Sequence, residues 1–319
     1  MYTYIAKRLL YAIPALFGVT ILIFVIMRVL PGDPLGAYFG VEEIKRLTDA
    51  QKAEVLNDLG LDRPYIVQYG SWIGDILLRG SLGESFFRGD PIIRILASRA
   101  PISAEIGILS VLISWLIGLP VGIISAFRPQ SKMDSTASMF TVLFLAIPGF
   151  WLGMLLVVGQ ITLFGYKSPI TAVQIWQNPW INFQIIIGPA IVLGLGQAAY
   201  IARMARSSLF EVLRDDYVRT ARAKGLGEKL VLVRHALPNA LLPVITLSGV
   251  LLGFVLGGSV AIEQAFAAPG LGKALVAAAI DRDFNVVQNI TLFYAVVFIV
   301  VNLFVDLLYG WLDPRIRLS

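Results

Sequence analysis

The chain has 319 residues, 57% of them hydrophobic and 15% charged, with a net charge of +5 and a mean hydropathy of +0.77. Soluble domains carry about a quarter charged residues, so one compact water-soluble core is excluded, and the basic excess fits cytoplasmic loops of a membrane protein better than a nucleic-acid surface. With no cysteine and one histidine, His235, the chain has no disulfide framework, no thiolate nucleophile or ligand and no multi-histidine metal site of its own.

In chain order, residues 1–8 form a short N-terminal segment carrying Lys7 and Arg8. The first apolar block follows at Leu9 to Leu30, long enough to cross roughly 30 Å of hydrocarbon as a helix. Its length exceeds the apolar core of a secretory signal, and Pro31-Gly32-Asp33-Pro34 replaces a small-residue cleavage pattern, so it reads as a retained helix. Residues 31–101 are mixed in charge. Within them Glu42 to Leu59 places Leu47, Val55, Leu56 and Leu59 at roughly helical spacing, with Gly60 as a stop, and a second apolar-aromatic stretch runs from Tyr65 to Leu78 behind Pro64. A small helical extracytoplasmic subdomain is expected here.

Residues 102–309 carry the remaining spans, at Ile106 to Ala126, Phe140 to Phe164, Phe183 to Ala202, Ala240 to Ile262 and Val286 to Leu308, ahead of a tail at 310–319. If the blocks alternate, the segments holding Lys7 and Arg8, Arg128 and Lys132, the loop 205–236 and Arg315 with Arg317 share one side. The opposite short loops offer Lys167, Lys273 and Arg282, so both termini and the basic loop are expected in the cytoplasm. The expected fold is an all-α polytopic membrane protein of six transmembrane helices.

Polar and small residues inside the spans leave alternatives open. Gly249, Gly253 and Gly257 share one face of the fifth span, either to pack helices closely or to line a subunit interface or pathway. Asp306 is the deepest acid of the last span, a packing or topology feature or a relay. Gln160, Gln197, Asn289 and Asn302 either bond between helices or line a polar path.

The fourth-to-fifth connection is the most informative segment. Asp215 and Asp216 open it, Arg219, Arg222 and Lys224 fill it, and Gly225 closes it. Asp216 can accept from the free N–H groups of a first turn, Lys224 suits the negative helix end, and Gly225 can take the left-handed conformation that stops a helix. A capped cytoplasmic helix is the physical reading. On physics alone it serves either an anionic lipid surface or a partner.

The spacing of this loop resembles the E-A-A-x3-G-x9-I-x-L-P signature of ATP-binding-cassette import permeases. The signature glycine falls on Gly225, nine residues separate it from His235, and Leu237-Pro238 closes the match. Arg219, Thr220 and Ala221 occupy the first three positions without the acid, a departure of the kind seen in the peptide/nickel branch. Pro31-Gly32-Asp33-Pro34, Leu59-Gly60-Leu61-Asp62-Arg63-Pro64, Gly80-Ser81-Leu82-Gly83, Pro269-Gly270-Leu271-Gly272, Asp306-Leu307-Leu308-Tyr309-Gly310 and Asp313-Pro314-Arg315 extend the resemblance to B-type dipeptide and oligopeptide permeases along almost the whole chain.

The resemblance implies a type I importer-like arrangement in the prokaryotic cytoplasmic membrane. It makes the segment around Asp216, Tyr217, Arg219, Thr220, Ala221, Arg222, Lys224, Gly225, His235, Leu237 and Pro238 the ATPase-coupling loop. Implied partners are a homologous second permease, two ATP-binding-cassette ATPase subunits, an extracytoplasmic substrate-binding protein and lipid, with no nucleic acid. No phosphate-binding G-x-x-x-x-G-K-[ST] motif is present, so ATP and Mg are expected in the partner ATPases and no cofactor on this chain. Peptides are the implied cargo, with nickel chelates, haem or sugars as alternatives in the same kind of complex. A secondary transporter would call for several buried ionisable groups and internal repeats, and an intramembrane enzyme for a convergent catalytic set; the sequence offers neither.

Overall fold

The computed structural model describes residues 2–29, 48–58, 60–86 and 88–312. Pro31-Gly32-Asp33-Pro34, Glu42 to Leu47, Leu59 and the tail with Asp313-Pro314-Arg315 and Arg317 lie outside the described residues. So do the side chains of Lys7, Arg8 and Asp306 and the packing of Gly257.

The described residues are helical almost throughout: α1 (Tyr2–Val29), α2 (Asp49–Asp58), α3 (Tyr65–Arg79), α4 (Ile92–Phe127), α5 (Lys132–Ala146), α6 (Gly149–Phe164), α7 (Pro179–Val212), α8 (Asp216–Ala223), α9 (Leu237–Ala265), α10 (Leu271–Ile280) and α11 (Phe284–Leu312). Glu228–Leu230 and a wider π-helical turn, Val231–Ala236, lead into α9. The only pairing of extended backbone among the described residues is an isolated antiparallel bridge between Glu84 and Pro91.

Among the described residues five helical segments are long and apolar enough to cross a membrane: Leu10–Val29, Ile92–Phe127, Pro179–Val212, Glu228–Val255 and Phe284–Val305. The third expected span, Phe140 to Phe164, is not one straight helix. It belongs to two helices, Lys132–Ala146 and Gly149–Phe164, that meet at 93°. Pro148 supplies the reason. The residue before a proline is driven out of the helical region, and Ile147 is extended at φ −80°, ψ 123°. The bent pair completes six spans.

At 1.5 Å per residue α4 is about 54 Å long and α7 about 51 Å, so both reach well beyond the hydrocarbon. The expected division between residues 31–101 and 102–309 therefore falls inside one continuous helix, because α4 starts at Ile92 and runs through Pro101.

α4 and α7 form the most extensive helix pair, and glycines explain how close they come. A Cβ on Gly118 would sit 2.6 Å from the Ala198 carbonyl oxygen, and one on Gly122 would sit 2.5 Å from that of Ala202. From the other side, a Cβ on Gly194 would stand 2.7 Å from Ile113. Backbones this close gain dispersion contacts that larger residues would prevent. Ile102, Ile106, Ile185, Val192, Ile262 and Phe266 extend this core toward α9.

α9 in turn packs on α11, and the glycine face of the fifth span is turned to it. A Cβ on Gly249 would collide with the Val305 side chain, and one on Gly253 would stand 2.7 Å from Phe298. At these two positions the small residues serve helix packing within the chain.

The segment between α1 and α4 is tied down by polar side chains. Arg28 at the end of α1 donates to Gln68 Oε1 on α3 at 3.0 and 3.2 Å and to Gln288 Oε1 on α11 at 3.2 Å. Trp72 Nε1 donates to Asn289 Oδ1 at 3.3 Å, while Asn289 Nδ2 donates to the Leu82 carbonyl at 3.1 Å. Trp72 stacks on Phe24 of α1, and Tyr69 meets the same ring edge-on. The stretch Tyr65 to Leu78 is thus an amphipathic helix docked on two spans. Gly60 stops α2 at φ +64°, with Leu61 N–H bonding to the Leu56 carbonyl at 2.8 Å.

Candidate functional site

α7 ends at Val212, and the chain turns sharply into α8. Leu213 N–H bonds to the Leu209 carbonyl at 2.9 Å and Asp215 N–H to that of Val212 at 3.1 Å. Asp215 is the last extended residue, at φ −64°, ψ 148°, and its carbonyl accepts from Val218 and Arg219 N–H, both at 3.1 Å. Asp216, expected to cap the first turn, does not. It is the first helical residue, and its exposed carboxylate lies 3.6 Å from Arg219. A side chain reaches back to the free N–H groups only from the non-helical position before the helix. From one residue further on, Asp216 contributes its charge at the positive helix end.

The far end closes through Lys224 N–H to the Thr220 carbonyl at 3.1 Å and Gly225 N–H to that of Arg222 at 2.9 Å. Gly225 is left-handed at φ +80°, and nothing lies within 4 Å of where a Cβ would stand. Its requirement for glycine is conformational rather than steric.

One face of α8 is anchored. Val218 and Ala221 are buried against Val231, with Val212, Leu213 and Leu226 around them. Arg222 clamps the returning segment of the loop, donating to Glu228 at 2.6 and 3.3 Å and to the Leu213 carbonyl at 3.3 Å. Tyr217 accepts from Asn239 Nδ2 at 2.7 Å, joining the first turn of α8 to the start of α9. The other face is free: Asp216, Arg219, Thr220 and Lys224 are exposed. The result is a basic helix anchored on one side and exposed on the other.

His235, Leu237 and Pro238 do not join that open face. They lie in the π-helical return and the first turn of α9, where His235 is half-buried. Leu237 N–H bonds to the carbonyl of Leu232, five residues back. Pro238 has no N–H, and its ring would crowd the Arg234 carbonyl in a regular helix; the wider turn relieves that.

Sequence reasoning missed the residues that hold the loop: Val231, Glu228 and Asn239 look unremarkable until the fold brings them to α8. It also missed Glu263, which is wholly buried at the end of α9. Ser103 Oγ donates to it at 2.8 Å and Lys273 N–H at 3.1 Å, and Leu271 N–H donates to Ser103 Oγ at 2.8 Å. Pro269-Gly270-Leu271-Gly272 folds over this carboxylate: a Cβ on Gly270 would collide with Glu263 Oε2, and one on Gly272 would come within 2.9 Å of it. An acid shortly before a glycine pair was the available signal.

The polar residues left open find partners. Gln160 Nε2 donates to Ser168 Oγ at 3.3 Å, Gln197 Nε2 to Ser110 Oγ at 3.4 Å, and Asn302 Nδ2 to the Phe298 carbonyl of its own helix at 2.9 Å. Among the described residues no group of three or more His, Asp or Glu side chains is placed to hold a metal.

Residues 118–318 match the family described as binding-protein-dependent transport system inner membrane component, and residues 1–107 match the N-terminal part described for the same systems. The oligopeptide transport system permease protein AppB of Bacillus subtilis is 39% identical over 99% of this chain and 100% of its own length. The dipeptide transport system permease protein DppB of Escherichia coli is 37% identical over 99% of both chains. A chain of the MetNI methionine ABC transporter, solved in inward-facing conformations, superposes with a TM-score of 0.58 over 69% of this chain and 97% of its own, at 20% identity; at that identity the likeness speaks to the fold. Six spans, an anchored basic loop between the fourth and fifth, and a family match over most of the chain converge: this protein belongs to the inner membrane components of binding-protein-dependent transport systems.

Proposed function

We propose that this chain is the permease subunit of an ATP-driven importer of di- or oligopeptides, and that α8 is the element through which separate ATPase subunits drive it. The observation that carries this reading is the two-sided character of α8. Val218 and Ala221 are buried in the stem, while Asp216, Arg219, Thr220 and Lys224 are exposed. A lipid anchor needs only a basic surface. Transmission of force needs a rigid mount as well, and Arg222, Tyr217 and the turn at Gly225 supply one.

Peptide as cargo is supported by the two peptide permeases to which the chain is similar along its whole length. The complex would contain a second homologous permease, two ATP-binding-cassette ATPases with ATP and Mg, and an extracytoplasmic binding protein. Both termini and the basic loop would face the cytoplasm. This chain would hydrolyse nothing itself.

Purification of the chain with its membrane partners, followed by an ATPase assay with and without peptide-loaded binding protein, tests the reading. Hydrolysis stimulated by the loaded binding protein is expected. A chain that isolates alone, or hydrolysis indifferent to the binding protein, overturns it.

A further inference from the structure

The cytoplasmic ends of α4, α5 and α7 meet in an ionic knot. Asp134, buried in the first turn of α5, accepts from Arg206 of α7 twice: Nε donates to Oδ1 at 2.8 Å and Nη2 to Oδ2 at 3.0 Å. Ser125, near the end of α4, donates to the same carboxylate and accepts from Arg206 Nε at 2.9 Å. Gln130 N–H in the intervening turn donates to Oδ2 at 3.0 Å, and Ser131 Oγ caps the Asp134 N–H at 3.2 Å. A bidentate guanidinium–carboxylate pair fixes orientation as well as distance.

Two features of the surroundings give this knot more than a packing role. A crevice of about 240 Å³ lies beside it, lined among others by Val121, Ala137, Thr141 and Ala202. The knot therefore borders open space on that side rather than a filled apolar contact. Arg206 also lies about two turns before Val212 on the same helix, and Val212 and Leu213 press on the buried face of α8. On the other side of the knot, α5 continues through the 93° bend into α6, whose Gly153 meets Phe266 at the far end of α9.

We propose that Arg206 and Asp134 are positioning residues for transport: their bidentate contact makes the bent α5–α6 unit follow any displacement of α8. This rests on the reading of α8 as the ATPase contact. Ser125 and Gln130 bring the end of α4 into the same rigid unit. The Arg206 side chain is 40% exposed, and ion pairs at such a solvent edge add little net stability, so the pair's contribution here is geometric coupling rather than fold stability.

The test uses the complete complex in proteoliposomes and measures uptake and ATP hydrolysis on the same preparation. Arg206→Gln should lower uptake about tenfold, within the usual range of coupling energies, while hydrolysis and complex yield stay within about twofold of the unmodified complex, so that more ATP is consumed per substrate. Asp134→Asn should behave alike, and the double variant should be no worse than either single change, since both remove one interaction. Arg206→Lys, which keeps the charge and loses the fork, should fall between. Uptake and hydrolysis declining in proportion, or uptake unchanged in Arg206→Gln, overturns the proposal. A Thr220→Cys cross-link to the ATPase separates the two readings. If it forms in Arg206→Gln, the coupling contact stands and the uptake ratio judges the knot alone. If it fails in the otherwise unmodified chain, the coupling reading falls and the knot's role with it.

Discussion

A graded series at Gly225 probes the turn that orients α8. The residue is left-handed at φ +80°, with open space where a Cβ would stand, so every substitution is judged by backbone conformation alone. An ordinary L-residue in this region costs roughly 1–2 kcal/mol, Asn costs less, and a β-branched residue costs most. Against that strain stands the burial of Val218, about 1.5–3 kcal/mol for a side chain of that size. For Gly225→Ala the anchor and the strain are comparable, so the turn should survive in part. For Gly225→Val the strain is larger still, and the oriented state should fall in population by more than the roughly 5- to 30-fold that about 1–2 kcal/mol represents. Uptake should therefore rank Gly, Asn, Ala, Val, while membrane insertion and chain yield stay constant and hydrolysis persists. Normal uptake in Gly225→Val, or a ranking with Asn below Val, would refute the argument.

Other substitutions test the packing and the buried polar sites. Gly122→Val places a branched side chain against the Ala202 carbonyl, 2.5 Å from its first carbon; it should cost about 1–3 kcal/mol or more, read as a lower melting temperature of the solubilised chain. Glu263→Ala strands the donors of Ser103 and Lys273 and should cost about 1–3 kcal/mol, whereas Glu263→Gln keeps an acceptor and should cost less in the same measurement. At the knot between Asp134 and Arg206, either single substitution should raise the ATP consumed per peptide taken up, measured as the ratio of hydrolysis to uptake.

Much of the architecture is legible in the sequence because membrane spans are a composition signal. The blocks at Leu9 to Leu30 and Ala240 to Ile262 announce α1 and α9 without reference to anything distant. The bend after Ile147 is partly visible in Pro148, yet a proline inside a span can kink, break or be absorbed. Pro101, Pro120 and Pro189 sit inside continuous helices, so the residue alone does not decide among these.

At the loop, Gly225 is legible because left-handed backbone selects glycine. The clamp is not. Glu228 and Asn239 matter only because the chain turns back on itself through the π-helical return, and Asp134 reaches Arg206 across 72 positions of sequence. Spacing rules reach along one element; they do not see which elements meet. The glycine face of the fifth span has two readings on sequence alone, and the position of Val305 and Phe298 favours packing at Gly249 and Gly253.

Under the proposed mechanism the free face of α8 receives work from ATP hydrolysed on other subunits. Peptide uptake into proteoliposomes holding the assembled complex, driven either by ATP or by an imposed ion gradient without ATP, tests it most directly. Uptake is expected with ATP and none with the gradient, and the ATP-driven component should be lost in Gly225→Val. Gradient-driven uptake by this chain in the absence of ATPase subunits would contradict it.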